Sequence, residues 1–313
     1  MSSNPANVAA IARQTGTLDV RGIALVLGSA LFWSFGGAIA RYLEVQDSWT
    51  VVFWRCLFAG LFLIAFMLVR DGPRGTIRLF RGMGWPGLTV AMGFAIASTC
   101  FILAIGYTTV ANVVLLQAGV PLFAALISWL LFREPISAMT WVAIAAVIAG
   151  VAIMVSGSLD GDISPIGNGL ALMIAVVFAL TTVVTRRYPH VRMTPAACVG
   201  SLIAAAVGAS MAGIWAVSPP DFARLFAFGA LNLGLGMALF VTGARMIPAA
   251  LAALLGTMET MLGPVWVALL HDEIPDLRTV IGGAVILIAL VTYLALEMRR
   301  QNREMARTLP PTI

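Results

Sequence analysis

The chain has 313 residues, 60% of them apolar and 11% charged, with a mean hydropathy of +0.98 and a formal net charge of +5. Soluble domains carry about 25% charged residues, so this composition excludes a soluble globular protein and makes the lipid bilayer its first partner. The positive balance comes from 19 arginines and no lysine, scattered among the loops without a fold to gather them, which argues against nucleic acid as a partner.

Ten apolar runs follow in order, at 22–40, 50–69, 87–106, 109–132, 139–156, 167–185, 195–217, 225–244, 249–270 and 279–296. Each is close to the roughly 20 residues that a helix needs to span the hydrocarbon core. They are continuous runs, not short alternating strands, so a barrel is not expected. The first twenty-one residues are largely polar and place Arg13 and Arg21 before an apolar run, an order shared with signal peptides. That run passes through Gly36-Gly37 without a cleavage site and has a counterpart at 167–185, which predicts a retained first helix.

The expected fold is an all-α membrane protein of ten transmembrane helices in two five-helix repeats. An odd number of crossings delivers the second set to the opposite side, so the repeats must be inverted, as in many secondary transporters. The expected organisation is an N-terminal tail at 1–21, a first repeat at 22–156, an external linker at 157–166, a second repeat at 167–296 and a C-terminal tail at 297–313. With the N-terminus inside, the inward segments hold 15 arginines and the outward ones 3, namely Arg41, Arg224 and Arg278. Excess arginine marks the cytoplasmic side, so both termini are expected in the cytoplasm and the protein in the plasma (inner) membrane.

Cys56, Cys100 and Cys198 all fall within spans, and no CxxC pair exists. They read as small apolar packing residues, not as a disulfide framework or a metal site. Only two histidines occur, His190 and His271, both placed in loops, and no HExxH, Walker A or Gly-x-Ser-x-Gly motif is present. The sequence therefore predicts no enzyme, no cofactor and no direct coupling to ATP.

Landmarks recur in order in the two halves. LFWSFGGAIARYL at 31–43 lies against VFALTTVVTRRYP at 177–189, pairing Arg41-Tyr42 with Arg187-Tyr188. LFREPI at 131–136 lies against LHDEIP at 270–275, pairing Glu134 with Glu273. With Pro121, Pro135 and Gly150 in the first half, Glu259, Pro264, Trp266 and Gly282 in the second, and Trp33 and Phe53-Trp54-Arg55 besides, the chain resembles the EamA-type repeat of the drug/metabolite transporter superfamily across 22–296. The second copy departs from the first: its proline comes four residues late, His271-Asp272 precede Glu273, and Trp141 has no counterpart. The resemblance implies ten helices, a central cavity between the halves, and export or exchange of small metabolites.

Glu259 is the sharpest candidate, because its helix places an ionisable carboxylate near the bilayer midplane. Such a position costs at least ~2.5–3.5 kcal/mol and usually faces a bundle interior or a wet cavity. Gly256 and Gly263 share its face. It can contact a substrate amine, couple a proton, or simply hydrogen-bond to Thr257, Thr260 or a neighbouring helix. Arg55, the only arginine inside a span, either snorkels outward towards Glu44 and Asp47 or turns inward to Glu259 or a substrate carboxylate. Gln117 occupies the position equivalent to Gly256 and should face the same cavity. Asn232, Ser98 and Thr99 can line it or bond to neighbouring helices. Trp33 and Gly37 share a face that could form an apolar wall. Trp49, Trp85, Trp141 and Trp215 lie near span ends, as interfacial anchors do.

The function these residues predict is secondary transport of a small-molecule substrate, an amino acid or related amphipathic solute, by rocking of the two halves. A translocator of lipids or lipophilic cations is the alternative, and a membrane-embedded enzyme the reading from another class. Small residues at Ala146, Gly150, Gly282 and Gly283 can pack helices within one chain or between chains of a homo-oligomer.

Overall fold

A computed structural model describes residues 19–133, 138–156, 164–188, 190–213, 215–244, 246–247 and 249–308. The described residues are helical almost throughout: α1 (Val20–Ser34), α2 (Gly36–Arg41), α3 (Ser48–Arg81), α4 (Gly84–Tyr107), α5 (Val110–Gln117), α6 (Val120–Phe132), α7 (Ala138–Ser156), α8 (Pro165–Arg187), α9 (Thr194–Met211), α10 (Pro219–Phe226), a π-helical segment (Ala227–Leu235), α11 (Gly236–Gly243), α12 (Ala249–His271) and α13 (Leu277–Thr308). The starts follow local chemistry. Asp19, Asp47, Thr109, Ser164 and Ser218 each accept a hydrogen bond from a backbone N–H of the turn that follows, satisfying donors that a helix start leaves orphaned.

Six helical stretches among the described residues are long and apolar enough to cross a membrane: Val20–Arg41, Ser48–Arg81, Gly84–Tyr107, Pro165–Thr185, Thr194–Met211 and Pro219–Gly243. A seventh is the broken pair Val110–Gln117 and Leu122–Leu131, bent by 46°. The protein is thus an all-α, multi-pass membrane protein with six to seven such helices. The apolar parts of α7 and α13, Ala138–Met154 and Leu277–Tyr293, are shorter. The segment that follows the second apolar run is helical as well, turning at Gly72 (φ 70°) just before Pro73 and continuing to Arg81. Glycine suits that left-handed backbone, and proline suits a helix start.

The five helical stretches before residue 157 do not form a body separate from those after residue 164. The most extensive helix packing all runs between the sets: α3 on α9, α4 on α8, α7 on α13, and α1 on both α11 and α12. The two sets therefore interleave and do not pack as two separate five-helix halves. Close approach explains several glycines. A Cβ on Gly282 would lie 2.6 Å from the Gly150 carbonyl oxygen, and one on Gly283 2.5 Å from Leu115 Cδ1. These residues pack α7 and α5 against α13 within one chain, so the pair does not supply an oligomer face.

The largest buried cluster fills the end of the bundle near Arg41, with Ala38, Val52, Ile105, Val110, Val113 and Phe228 among its members, and runs on along α5–α7 and α13. Towards the opposite end, where Arg192 Nη1 meets Asp71 Oδ1 at 2.7 Å, the described buried residues fall into smaller, separate clusters. These centre on Leu63 and Met67, on Val90 and Met193, on Val26 and Ile247, and on Ala124 and Ala179.

Candidate functional site

A cavity of about 260 Å³ lies in the middle of the bundle, between α1, α3, α4, α5, α8, the π-helical segment and α12. Glu259, Gln117, Trp33, Arg55, Asn232 and Ser98 all line it, although they come from six different helical elements. Phe94, Phe101, Phe178, Ile174 and Met237 supply apolar wall.

Arg55 turns inward. It is 5% exposed, and its guanidinium carbon sits 4.4 Å from the Phe228 ring centroid and 5.3 Å from that of Phe101. The outward reading fails because its supposed partners are engaged: Glu44 pairs with Arg224 at 3.1 Å, and Asp47 caps α3. Two aromatic faces attract the cation. Gly229 lets the π-helical segment close on the Arg55 backbone, where any Cβ would collide with the Arg55 carbonyl. The Nε and Nη1 groups of Arg55 are buried and have no hydrogen-bond partner.

Glu259 is half-buried near the middle of α12. It and Arg55 attract each other electrostatically across the cavity but form no ion pair. Gly256, one turn away, also lines the cavity, and a Cβ there would meet nothing within 4 Å. The carboxylate is therefore not crowded on that side. Thr260 lines the cavity as well, while Gly263 faces Val114 and the Ser34 carbonyl. Thr257, the other hydrogen-bonding alternative, has a side chain outside those described.

Gln117 Nε2 donates to the Val113 carbonyl at 3.2 Å, folding its amide against its own helix at the cavity edge. Asn232 is 3% exposed and donates from Nδ2 to the carbonyls of Phe32 at 2.5 Å and Trp33 at 3.2 Å, where α1 gives way to α2. It thus both lines the cavity and ties down the turn beside it. Ser98 lines the cavity from α4; Thr99 is not part of the lining. Trp33 forms wall, tilted against Phe240 at 5.4 Å with its Nε1 buried and unpartnered. Gly37 does not share that role: it packs against the Val110 side chain.

Above the cavity, at the Arg41 end, a polar network crosses between the two sets of helices. Arg41 Nε donates to Glu273 Oε2 at 2.7 Å, and Glu273 Oε1 accepts the Val110 N–H at 2.8 Å. His271 is not in a loop; it ends α12, contacts the Ala38 carbonyl at 3.0 Å and packs edge-on to Tyr42. Trp266 Nε1 donates to Ser34 Oγ at 3.0 Å and its ring stacks on Phe35. Asn112 Nδ2 donates to Asn168 Oδ1. Glu134, the sequence counterpart of Glu273, lies outside the described residues. The residues just before each of the pair, Arg133 and Asp272, both hold φ 52°, and they are the only non-glycine residues of positive φ among those described.

Sequence reasoning missed the aromatic bed of Arg55 and the cavity wall. Phe228, Phe101, Phe94 and Phe178 are apolar residues in apolar spans and carry no distinguishing signal. Arg41 and Glu273 were visible as repeat landmarks, but not as partners. Among the described residues no group of three His, Cys, Asp or Glu side chains could hold a metal ion.

Comparison with known proteins agrees with this layout. No curated protein sequence matches the chain. A solved structure described only as the crystal structure of a protein superposes with a TM-score of 0.61 at 18% identity, covering 90% of this chain and 98% of that one, which shows a shared fold. The model of the EamA-like transporter family matches residues 20–156 and again 165–295. Two matches that together take in most of the sequence decide the assignment: the chain belongs to the EamA-like transporter family.

Proposed function

We propose that the central cavity is the substrate site and that the cargo is a small amphipathic metabolite, an amino acid or a close relative, moved by export or exchange. The observation that carries this reading is the convergence of Arg55, Glu259, Gln117, Asn232, Ser98 and Trp33 on one cavity. Buried charge is costly unless compensated, and a midplane ionisable residue facing a cavity marks a substrate or ion path. A space of about 260 Å³ suits a solute of amino-acid size and is too small for a lipid, which weighs against the lipid translocator.

In this proposal the chain makes ten crossings as two inverted five-helix repeats, 22–156 and 167–296, joined by an external linker at 157–166, with both tails, 1–21 and 297–313, in the cytoplasm. The duplicated family match, the equal left-handed turns at Arg133 and Asp272, and the most extensive helix packing, which runs from one set to the other, support the repeat. The arginine excess supports the orientation, in a plasma (inner) membrane. The Arg41 end, where the Arg41–Glu273 pair ties the two sets of helices together, is then external. Alternating access moves bundles drawn from both repeats past each other around the cavity, breaking the external network as the cytoplasmic side closes.

The test is counterflow in liposomes containing the purified protein, with a broad panel of amphipathic solutes including amino acids. Saturable exchange of a labelled amino acid, lost with Glu259→Ala together with Arg55→Ala, is the expected result. Exchange of lipophilic cations alone would move the assignment to the alternative. Labelling of a cysteine at Gln46 from outside intact cells, with protection of one at Arg78, checks the orientation.

A further inference from the structure

Arg55 and Glu259 present opposite charges to one apolar cavity without neutralising each other. Resting on the reading of that cavity as the substrate site, we propose that it recognises an apolar zwitterion at two points. Arg55 takes the carboxylate, Glu259 takes the ammonium, and the aromatic wall takes the side chain.

The protein's own groups leave part of this arrangement unsatisfied. A guanidinium has five N–H donors in a fixed fork that matches a carboxylate. In Arg55 two of its nitrogens are buried with no partner. Stacking on Phe228 and Phe101 stabilises the cation through its face and leaves the in-plane donors unspent. A donor left unpaired in a buried site is unfavourable, so the geometry favours a ligand that brings an acceptor. The groups facing Arg55 from the surrounding elements do not serve that need. Asn232 spends Nδ2 on the Phe32 and Trp33 carbonyls, and Gln117 is folded onto Val113.

Glu259 gives the complementary half. Its carboxylate only accepts when ionised, and the small Gly256 beside it leaves room for an ammonium group to approach. A solute with one charge would leave either Arg55 or Glu259 uncompensated inside the protein, whereas a zwitterion satisfies both. The walls set the remainder of the molecule. Trp33, Phe94, Phe178 and Met237 favour an aliphatic or aromatic side chain over a polar one.

The experiment uses two sets of three ligands that differ only in their charged groups: L-phenylalanine, 2-phenylethylamine and 3-phenylpropanoate, and L-leucine with its amine and acid counterparts. Binding to the purified full-length protein in lipid nanodiscs is measured by calorimetry, and exchange is measured in liposomes. The zwitterion of at least one set is expected to bind at least tenfold more tightly than both of its partners, the scale of one lost charged hydrogen bond. Arg55→Gln is expected to bind the amine as well as the zwitterion, and Glu259→Gln to bind the acid as well as the zwitterion. Arg55→Lys, which keeps the charge without the fork, should retain part of the preference. The comparison of ligands on the unaltered protein needs no variant to fold. Amine or acid binding equal to that of both zwitterions, or no binding by either zwitterion, overturns the two-point site and leaves the transporter reading standing. Failure to exchange any amphipathic solute overturns that reading itself.

Discussion

Arg41 and Glu273 stand 232 residues apart in sequence, yet the arginine Nε meets a carboxylate oxygen at 2.7 Å. The guanidinium also reaches the carbonyls of Ile105 at 3.0 Å and Thr108 at 3.3 Å. The other carboxylate oxygen takes the Val110 N–H at the start of α5. One carboxylate thus fastens the end of α2, the turn between α4 and α5, and the residues that follow α12. Both partners lie at the end that the proposed orientation makes external, where such a fastening would serve as a latch.

Glu273→Gln therefore tests the latch. An amide has one acceptor oxygen and cannot serve Arg41 and Val110 as the carboxylate does. A partly exposed ion pair is worth only ~0–1 kcal/mol, so thermal stability should fall little. At the upper end of that range the population of an open state changes roughly fivefold. A single cysteine at Gln117, in an otherwise cysteine-free protein, should react several-fold faster with a reagent added from the Arg41 side. An unchanged rate would show that the pair is structural only.

The crossing of α7 and α13 makes a second prediction, of stability. Gly150 and Gly282 face each other so closely that a Cβ on either would lie 2.6–2.7 Å from the other's carbonyl oxygen. Backbone cannot yield as a flexible side chain can, so Gly282→Val must separate the helices. Overpacking of this kind costs typically ~1–3 kcal/mol. Thermal unfolding in detergent should show a clear loss, while Gly169→Ala, where a Cβ meets nothing within 4 Å, should not.

Asp47 makes stability depend on pH. Burial alone would raise its pKa, but the hydrogen bonds from Thr50 Oγ1 at 2.8 Å and from the N–H groups of Trp49 and Gly213 outweigh it and hold the carboxyl below its ordinary 3.8. A group depressed in the folded state contributes stability that is present above its unfolded value and is lost as pH falls through the folded one. Unfolding temperature should therefore drop below about pH 4, and Asp47→Ala, which removes the cap, should lower it at neutral pH while flattening this acid limb. The loss of a helix cap of this type is worth ~1 kcal/mol. An equally steep acid limb in the variant would assign the dependence to other carboxylates.

The class of fold was legible because membrane helices are written in length and hydropathy, and the family because landmarks such as Arg-Tyr and the acidic turn stand out from the apolar filling. The candidate site was legible for the same reason: Glu259, Arg55, Gln117 and Asn232 are polar residues in places where lipid tolerates none. What the sequence could not supply was rotation. Whether Arg55 snorkels or turns inward depends on Phe228, Phe101 and the close approach at Gly229, all long-range partners. The interdigitation of the two sets was hidden too, since periodicity specifies a buried face without naming the helix that covers it.

Glu259→Gln separates the roles open to the central carboxylate. The amide keeps the shape and one acceptor but cannot carry charge. If the residue holds a substrate ammonium, the variant loses uptake under a pH gradient and exchange at equal pH together, because both require binding. If it only carries a proton, exchange at equal pH survives while gradient-driven uptake disappears. The placement of Glu259 opposite Arg55, on the wall of one small apolar cavity, sets the expectation at loss of both, with Glu259→Asp recovering part of the exchange because the charge is restored at a shorter reach. Uptake and exchange are measured on the same liposome preparation, so that protein content and orientation cancel. Preserved exchange in the amide variant would transfer the residue from substrate contact to proton coupling, and normal behaviour in both assays would remove it from the site.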